Sequence, residues 1–359
     1  MTDPNRWEHG SEFHWPLAES DEADLGARPW ASRGALLGSG RDALRLIIQH
    51  GLSTLDWERL WVPSYMCQHV VEALVETGIS CVVYEDAPTQ AGPTADTLNP
   101  SPRDVVLLVN YFGLRDSSIQ DGVDLGGATL IVDHTHDPLS EWAHDRRADY
   151  AIASLRKTVP IPDGGVLWSP KGHALPAPPE ITETRAMAAQ AKWKAMRLKG
   201  HYLAGELVNK ADFRALAFDG EADIARGAIS GMYPASEVRL DALPLGSWRA
   251  RRRANHDVLV SALAEVTGLK VLTGSEGSCP FSAFLVCEEP AQRDLVRTAL
   301  IEARIYPAVL WPMDTPALSG VSEAHCALAD RTLSVHCDMR YDPEDMARVA
   351  TVIAEACAP

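Results

Sequence analysis

The stretch Ala153-Ser154-Leu155-Arg156-Lys157-Thr158-Val159-Pro160-Ile161-Pro162-Asp163-Gly164-Gly165-Val166 decides how the rest of the chain is read. A lone lysine stands just past an apolar, strand-like run, with a serine three residues before it and a diglycine soon after. Pro160, Pro162 and Gly164-Gly165 give it a rigid, apolar setting, unlike the solvated turn in which most lysines sit. Earlier in the chain, Leu130-Ile131-Val132-Asp133-His134-Thr135-His136 delivers an aspartate from the end of a second buried strand. An amine and a carboxylate on neighbouring strand ends suit pyridoxal phosphate (PLP), which needs the first for its aldehyde and the second for its pyridinium nitrogen.

Outward from these two segments the chain alternates. Residues 58–62, 79–84, 104–110 and 128–133 are short, β-branched and apolar, as strands are, and residues 41–51 and 67–78 have helical spacing. Continuous apolar strands separated by helices imply a mainly parallel sheet covered on both faces. A strand over 165–168 leads to a proline- and alanine-rich loop at 171–180 and a helical region over 181–226. Another helical region, 236–266, is broken or kinked at Pro244. Strands at 281–286, 305–309 and 332–336 with helices at 291–303 and 343–356 then form a smaller α+β unit. At 359 residues the chain exceeds the roughly 250–300 at which single cores stop growing. The expected organisation is an N-terminal arm over 1–30, a large domain over 31–245 and a small C-terminal domain over 246–359.

A net charge of −16 argues against a nucleic-acid or anionic-membrane binder, either of which would want a basic face. Arg249 and Arg251-Arg252-Arg253 are the local exception, read as a solvated helix face. No apolar run reaches the ~18 residues of a membrane span and the polar start has no signal-peptide profile, so a cytoplasmic protein is expected. The seven cysteines are scattered and never in a Cys-x-x-Cys pair, which indicates neither a disulfide framework nor a zinc site.

Gly38-Ser39-Gly40-Arg41-Asp42 places glycines and a serine at a helix start, where free N–H groups and the dipole favour a phosphate. A serine there also serves as a plain N-cap. Ser154 supplies a second hydroxyl for the same dianion. Asp133 needs a cationic partner if buried, which a pyridinium provides, and is otherwise a cap or a strand-end carboxylate facing water. His136 fits beside the ring's phenolic oxygen; with His134 and Asp137 it also resembles a metal cluster, but no further ligand follows at useful spacing. Lys157 is the candidate for covalent attachment and proton shuttling.

With those residues placed, the chain resembles the fold type I PLP enzymes, and among them the DegT/StrS-type sugar aminotransferases, collinearly over nearly its whole length. Ser39-Gly40-Arg41-Asp42-Ala43-Leu44 is similar to that family's Ser-Gly-Thr-x-Ala-Leu, and Val62-Pro63-Ser64-Tyr65 to its Val-Pro-Ser. Val109-Asn110-Tyr111-Phe112-Gly113 resembles its His-x-Tyr-Gly, Asp133-His134-Thr135-His136 its Asp-Ala-Ala-Gln/His, and Asp163-Gly164-Gly165 its Glu-Gly-Gly. Ser236-Glu237-Val238-Arg239 and Leu333-Ser334-Val335-His336 complete the pattern. The resemblance implies an α/β fold with a mainly parallel seven-stranded sheet, helices on both faces and a small C-terminal α+β domain. It further implies a homodimer with shared active sites, Lys157 as the Schiff-base residue, Asp133 on the pyridine nitrogen and His136 near the ring. Ser39, Gly40, Arg41 and Ser154 fall at the phosphate.

Three departures stand out. The lysine loop Ser154-Leu155-Arg156-Lys157 is shorter than the family's Ser-Phe-His-x-x-Lys. The family's ring-stacking aromatic aligns with Cys67, leaving Tyr65, His69 or no aromatic to cover the ring. Met232-Tyr233-Pro234 replaces the partner-facing Asn-x-Arg. The expected activity is transfer of an amino group, from glutamate or glutamine, to a keto or aldehyde acceptor such as a ketosugar nucleotide. The alternatives are a PLP-dependent lyase, decarboxylase or oxidative enzyme, and a catalytically idle homologue, against which retention of both Lys157 and Asp133 speaks.

Overall fold

The computed structural model describes residues 6–15 and 28–358. After a two-residue strand β1 (His9–Gly10), a seven-stranded sheet is built from β2 (Ala35–Leu37), β3 (Arg59–Pro63), β4 (Ser80–Tyr84), β5 (Asp104–Val109), β6 (Thr129–Asp133), β7 (Tyr150–Ala153) and β8 (Gly165–Trp168). Their spatial order is β2-β8-β7-β6-β5-β3-β4. All neighbours from β7 to β4 pair in parallel, and β8 runs antiparallel to both β7 and β2.

β5 shows why the sheet forms. Its six residues are all buried, with Val105 and Leu107 facing one layer and Val106 and Leu108 the other. The first layer is closed by Ala43, Leu44, Ile47 and Ile48 of α1 (Gly40–Thr54) and by Val71 and Leu74 of α2 (Gln68–Val75). Burial of an Ile or Leu of this kind stabilises by about 1.5–3 kcal/mol. The opposite layer is packed by Trp61, Tyr84, Ile119 and Trp142.

The expected helical region over 181–226 is a hairpin of α3 (Glu183–Leu203) and α4 (Lys210–Arg226). Gly205, at φ 92°, ends the first helix, and the Asn209 side chain caps the second by accepting from Ala211 N. α5 (Pro234–Leu240) and α6 (Leu245–Leu263) are separated at Pro244, as the sequence indicates. The start of α6 packs Leu245 and Trp248 beneath β7 and β8, and its end packs Leu259 and Leu263 into a second core.

That second core belongs to a smaller antiparallel sheet of β9 (Leu269–Val271), β10 (Ala283–Cys287) and, after α7 (Pro290–Glu302), β11 (Ile305–Tyr306) and α8 (Glu323–Ala329), β12 (Thr332–Val335), closed by α9 (Pro343–Ala356). The expected strand over 305–309 is shorter: β11 pairs in parallel with β1, and Ala308 alone bridges to Ser334. Of the arm expected over 1–30, residues 1–5 and 16–27 lie outside the described residues. Arg249 and Arg252 correct the reading of a solvated arginine face. Arg249 forks onto Asp137 (2.9 and 2.7 Å) and the buried Arg252 donates to Thr158 O (2.9 Å), while Arg251 and Arg253 are exposed.

Candidate active site

The residues singled out by sequence gather at the carboxyl ends of the parallel strands, where ligands bind in open α/β sheets. Asp133 ends β6, opposite Val109 of β5 and Ile152 of β7. Asn110 follows β5, Ser154 and Lys157 follow β7, and Cys67 follows β3. Asp133, Thr135, His136, Lys157 and Cys67 line one small cavity together with Met66, Val70, Val109 and Trp311.

Two groups in this cavity lack an ion-pair partner among the described residues. The Asp133 carboxylate accepts from Thr135 N (2.8 Å), and no cation lies within ion-pair distance among the described residues. Burial raises its pKa above the ordinary carboxylate range against the pull of Thr135 and of the Lys157 charge. The Lys157 amine makes neither a hydrogen bond nor an ion pair among the described residues. His136 is neutral: burial, then the Lys157 charge, depress its pKa to about 3, and its Nδ1 accepts from Phe112 N (3.2 Å). Asn110 Nδ2 is a further buried donor without a partner among the described residues, while Asn110 Oδ1 accepts from Arg115 N (3.1 Å).

A cradle adjoins the cavity at the start of α1. Ser39 caps that helix, its hydroxyl accepting from Asp42 N (3.1 Å) and donating to Asp42 Oδ2 (2.9 Å). Its side chain is therefore occupied. The first N–H groups, those of Gly40 and Arg41, have no intrahelical acceptor. Ser154 sits directly against them: a Cβ on Gly40 would lie 2.8 Å from Ser154 Cβ, and a Cβ on Gly165 would lie 2.2 Å from the Ser39 carbonyl. Ser154 N donates to Thr135 Oγ1 (3.0 Å), so the cradle and the Asp133 loop are one hydrogen-bonded unit. Arg185, held on Asp42 (2.9 Å), balances that carboxylate beside the helix start.

Lys157 also lines a second, larger cavity of about 460 Å³. Although the chain is acidic, this cavity is basic: Arg156, Lys192, Lys199, Lys210, Arg214 and Arg340 face it, with Glu12 the one carboxylate among the described residues of its wall. Two carboxylates behind the wall are each shared by two cations. Glu221 holds Arg156 (2.6 Å) and Lys192 (2.5 Å), and Glu8 holds Lys199 (3.3 Å) and Lys210. Burial, then the nearby Arg340 charge, brings the Lys199 pKa down to about 8. Phe13, Phe213, Phe281 and Tyr306 give the same cavity apolar walls.

The sequence did not point to this cavity, although it holds a signal for it. The buried face of α3 carries Arg185, Lys192 and Lys199, seven residues apart and in step with Ala188, Ala189, Ala195 and Met196. Trp311 was likewise missed. Neither residue named as an alternative ring cover lines the small cavity: Tyr65 is buried behind it, donating to Leu310 O (2.6 Å), and His69 is exposed beside Glu72. Arg41 points toward Glu221 (4.0 Å). The His134, His136 and Asp137 cluster does not converge. His134 packs edge-on against Trp142, Asp137 is taken by Arg249, and no metal-holding group of three occurs among the described residues. No described helix is long and apolar enough to cross a membrane.

No protein-family model matches the chain, and no curated protein sequence does. Solved structures do match in fold. DesV of S. venezuelae, held in complex with a ketimine intermediate, is 18% identical over 96% of this chain and 91% of its own, with a TM-score of 0.61. The aminotransferase TlmJ from Streptoalloteichus hindustanus is 16% identical over 90% of this chain and 85% of its own, with a TM-score of 0.58. DesI, solved in the presence of its TDP-sugar product, is 16% identical over 90% of this chain and 80% of its own, again with a TM-score of 0.58. The chain thus has the fold type I architecture of the PLP-dependent aminotransferases, with its mainly parallel seven-stranded sheet and smaller antiparallel unit.

Proposed function

We propose that the protein is a PLP-dependent aminotransferase whose cofactor seat lies between Asp133, His136, Lys157 and the start of α1. The observation that carries this reading is the pair of groups of opposite type without an ion-pair partner among the described residues, the Asp133 carboxylate and the Lys157 amine, facing one cavity at the strand ends. The donor set fits the cofactor: an amine for the aldehyde, a carboxylate short of a cation for the ring nitrogen, and a cradle of free N–H groups with the Ser154 hydroxyl for the phosphate. When bound, PLP supplies the electron sink that lets a proton leave the Cα of an amino acid.

The protein's part is to hold and move charge. Asp133, costly as a lone buried anion, regains a compensating charge beside a protonated ring nitrogen and keeps that nitrogen cationic. Lys157 Nζ would hold the cofactor's aldehyde and, when free, would be the base that takes the proton from the Cα of the amino donor. His136, neutral and fixed by Phe112 N, steadies the ring without adding a competing cation. The basic cavity beyond Lys157 supports an anionic acceptor, of which a ketosugar nucleotide is one chemistry, with glutamate or glutamine as the amino donor. The exposed Met187, Leu207 and Phe218 of the α3–α4 region support the proposed homodimer, which light scattering of the purified protein tests.

Mixing the PLP-loaded protein with glutamate or glutamine and recording the visible spectrum tests the activity. The band of the lysine-bound cofactor should give way to that of the pyridoxamine form, and return when a keto acceptor is added. No change with any amino donor rules out transamination. Lys157→Ala should lose borohydride-fixable cofactor; its retention would contradict the role given to the lysine.

A further inference from the structure

The seat around Asp133 and Lys157 has a flat aromatic wall from an unexpected source. Position 67, at the start of α2, carries a small thiol, and its neighbours Met66 and Val70 are aliphatic. His136 and Trp311 are the two aromatic rings among the described residues of the lining. Trp311 comes from the loop after β11, in the smaller unit, and lies stacked on His136 at 5.8 Å and 27°, with Phe112 (5.6 Å) and Tyr65 (5.9 Å) around it.

The loop is stitched to the segment that lacks an aromatic. Tyr65 donates to Leu310 O (2.6 Å), the carbonyl just before Trp311, and Ala317 N donates to Gln68 Oε1 (2.8 Å), the residue just after Cys67. Ala308 and Ser334 exchange two backbone hydrogen bonds of 2.8 Å, tying the same loop to β12. Trp311 is 8% exposed and its indole N–H makes no hydrogen bond among the described residues, so the ring is held by its neighbours' faces and by the loop alone. The cavity itself has a volume of only about 20 Å³, room for roughly one water. A pyridine ring seated there requires a lining group to give way. Asp133 and Val109 are fixed on strands, whereas Trp311 hangs from a loop with no regular structure of its own.

We infer that Trp311 is the ring cover: it yields to the incoming cofactor and stacks on its face, doing from the small unit what the side chain at position 67 is too small to do. This rests on the PLP reading above. An aromatic stack of this kind changes a dissociation constant by up to about tenfold.

PLP titrated into the cofactor-free protein, followed by visible circular dichroism and tryptophan emission, tests it. Trp311→Ala should bind PLP several-fold to about tenfold more weakly, with a reduced visible dichroic band. Trp311→Phe, which keeps a ring, should bind within about threefold of the wild type while losing a share of the emission quenching that PLP produces. A Trp311→Ala protein with wild-type affinity and dichroism overturns the inference. So does a Trp311→Phe protein whose quenching matches the wild type, a result available even if the alanine variant does not fold. A wild-type protein that takes up no PLP overturns the cofactor reading itself, and the two failures are thereby distinguished.

Discussion

Replacing Asp133 by asparagine should stabilise the cofactor-free protein while crippling the loaded one. Asp133 is a carboxylate held by Thr135 with no ion-pair partner among the described residues, and burial raises its pKa. A raised carboxyl pKa means that the unfolded chain releases the proton more readily than the folded one. Stability is therefore lost as pH rises from the unfolded value of about 3.9. At pH 8 the folded protein bears the full cost. Asparagine keeps an acceptor for Thr135 N and removes the charge. Relieving a poorly compensated buried charge gains on the order of 1–3 kcal/mol, or roughly 1–4 °C in Tm for a chain of this size. Thermal denaturation of the cofactor-free proteins should show this gain at pH 8, shrinking as pH falls toward 4. Adding PLP should reverse the ranking, since the wild type gains an ion pair with the ring nitrogen that asparagine cannot form. An unchanged or lower Tm for Asp133→Asn at pH 8 without cofactor would show that the carboxylate is already compensated, and the argument for its role would fail.

Gly165→Ala puts a Cβ 2.2 Å from the Ser39 carbonyl; it should cost about 1–3 kcal/mol and weaken binding of PLP more than of pyridoxal, read by denaturation and titration. Glu221→Gln leaves Arg156 and Lys192 facing each other, and a loss of about 1 kcal/mol is expected after allowing for the partial exposure of Glu221. Burial pushes the Glu221 carboxyl up, but Arg156 and Lys192 outweigh it and bring the pKa to about 2. The gap between wild type and variant is thus fully present above the ordinary carboxylate range and closes as pH falls from there toward 2, as acid-denaturation curves would show. Arg249→Ala strands Asp137, which is 1% exposed, and should cost about 3 kcal/mol or more in urea unfolding.

The central strands and the meeting of Asp133 with Lys157 at one cavity were legible in sequence for one reason. β5 and β6 are buried on both faces, so their runs are continuously apolar, and the residues just past the end of such a strand emerge at the carboxyl edge of the sheet. Asp133 and Lys157 could therefore be brought together without coordinates. β2 escaped notice as a strand because three residues on a sheet edge carry too little pattern. The Ser39 hydroxyl could serve a phosphate or its own helix, and only the contact with Asp42 shows which it does in the described structure. Trp311 reaches the cavity through loop packing from the far side of the chain, a relation with no period and no spacing. The basic cavity was hidden differently: its lysines on α3 are two among the many charges of that helical region, and only tertiary packing turns them inward.

Residues 6–15 are pinned at both ends. β1 is zipped to β11, Gly10 N reaches the Tyr341 hydroxyl (2.7 Å), and a few residues on Trp15 N bonds to Met196 O of α3 (2.9 Å), while Ser11, Glu12 and Phe13 wall the larger cavity between these anchors. This segment is thus a rim of the basin it crosses. A protease nick between Gly10 and Trp15 should reshape that basin and leave the sheet beneath it untouched, so that an assay would read altered selectivity with no loss of folding.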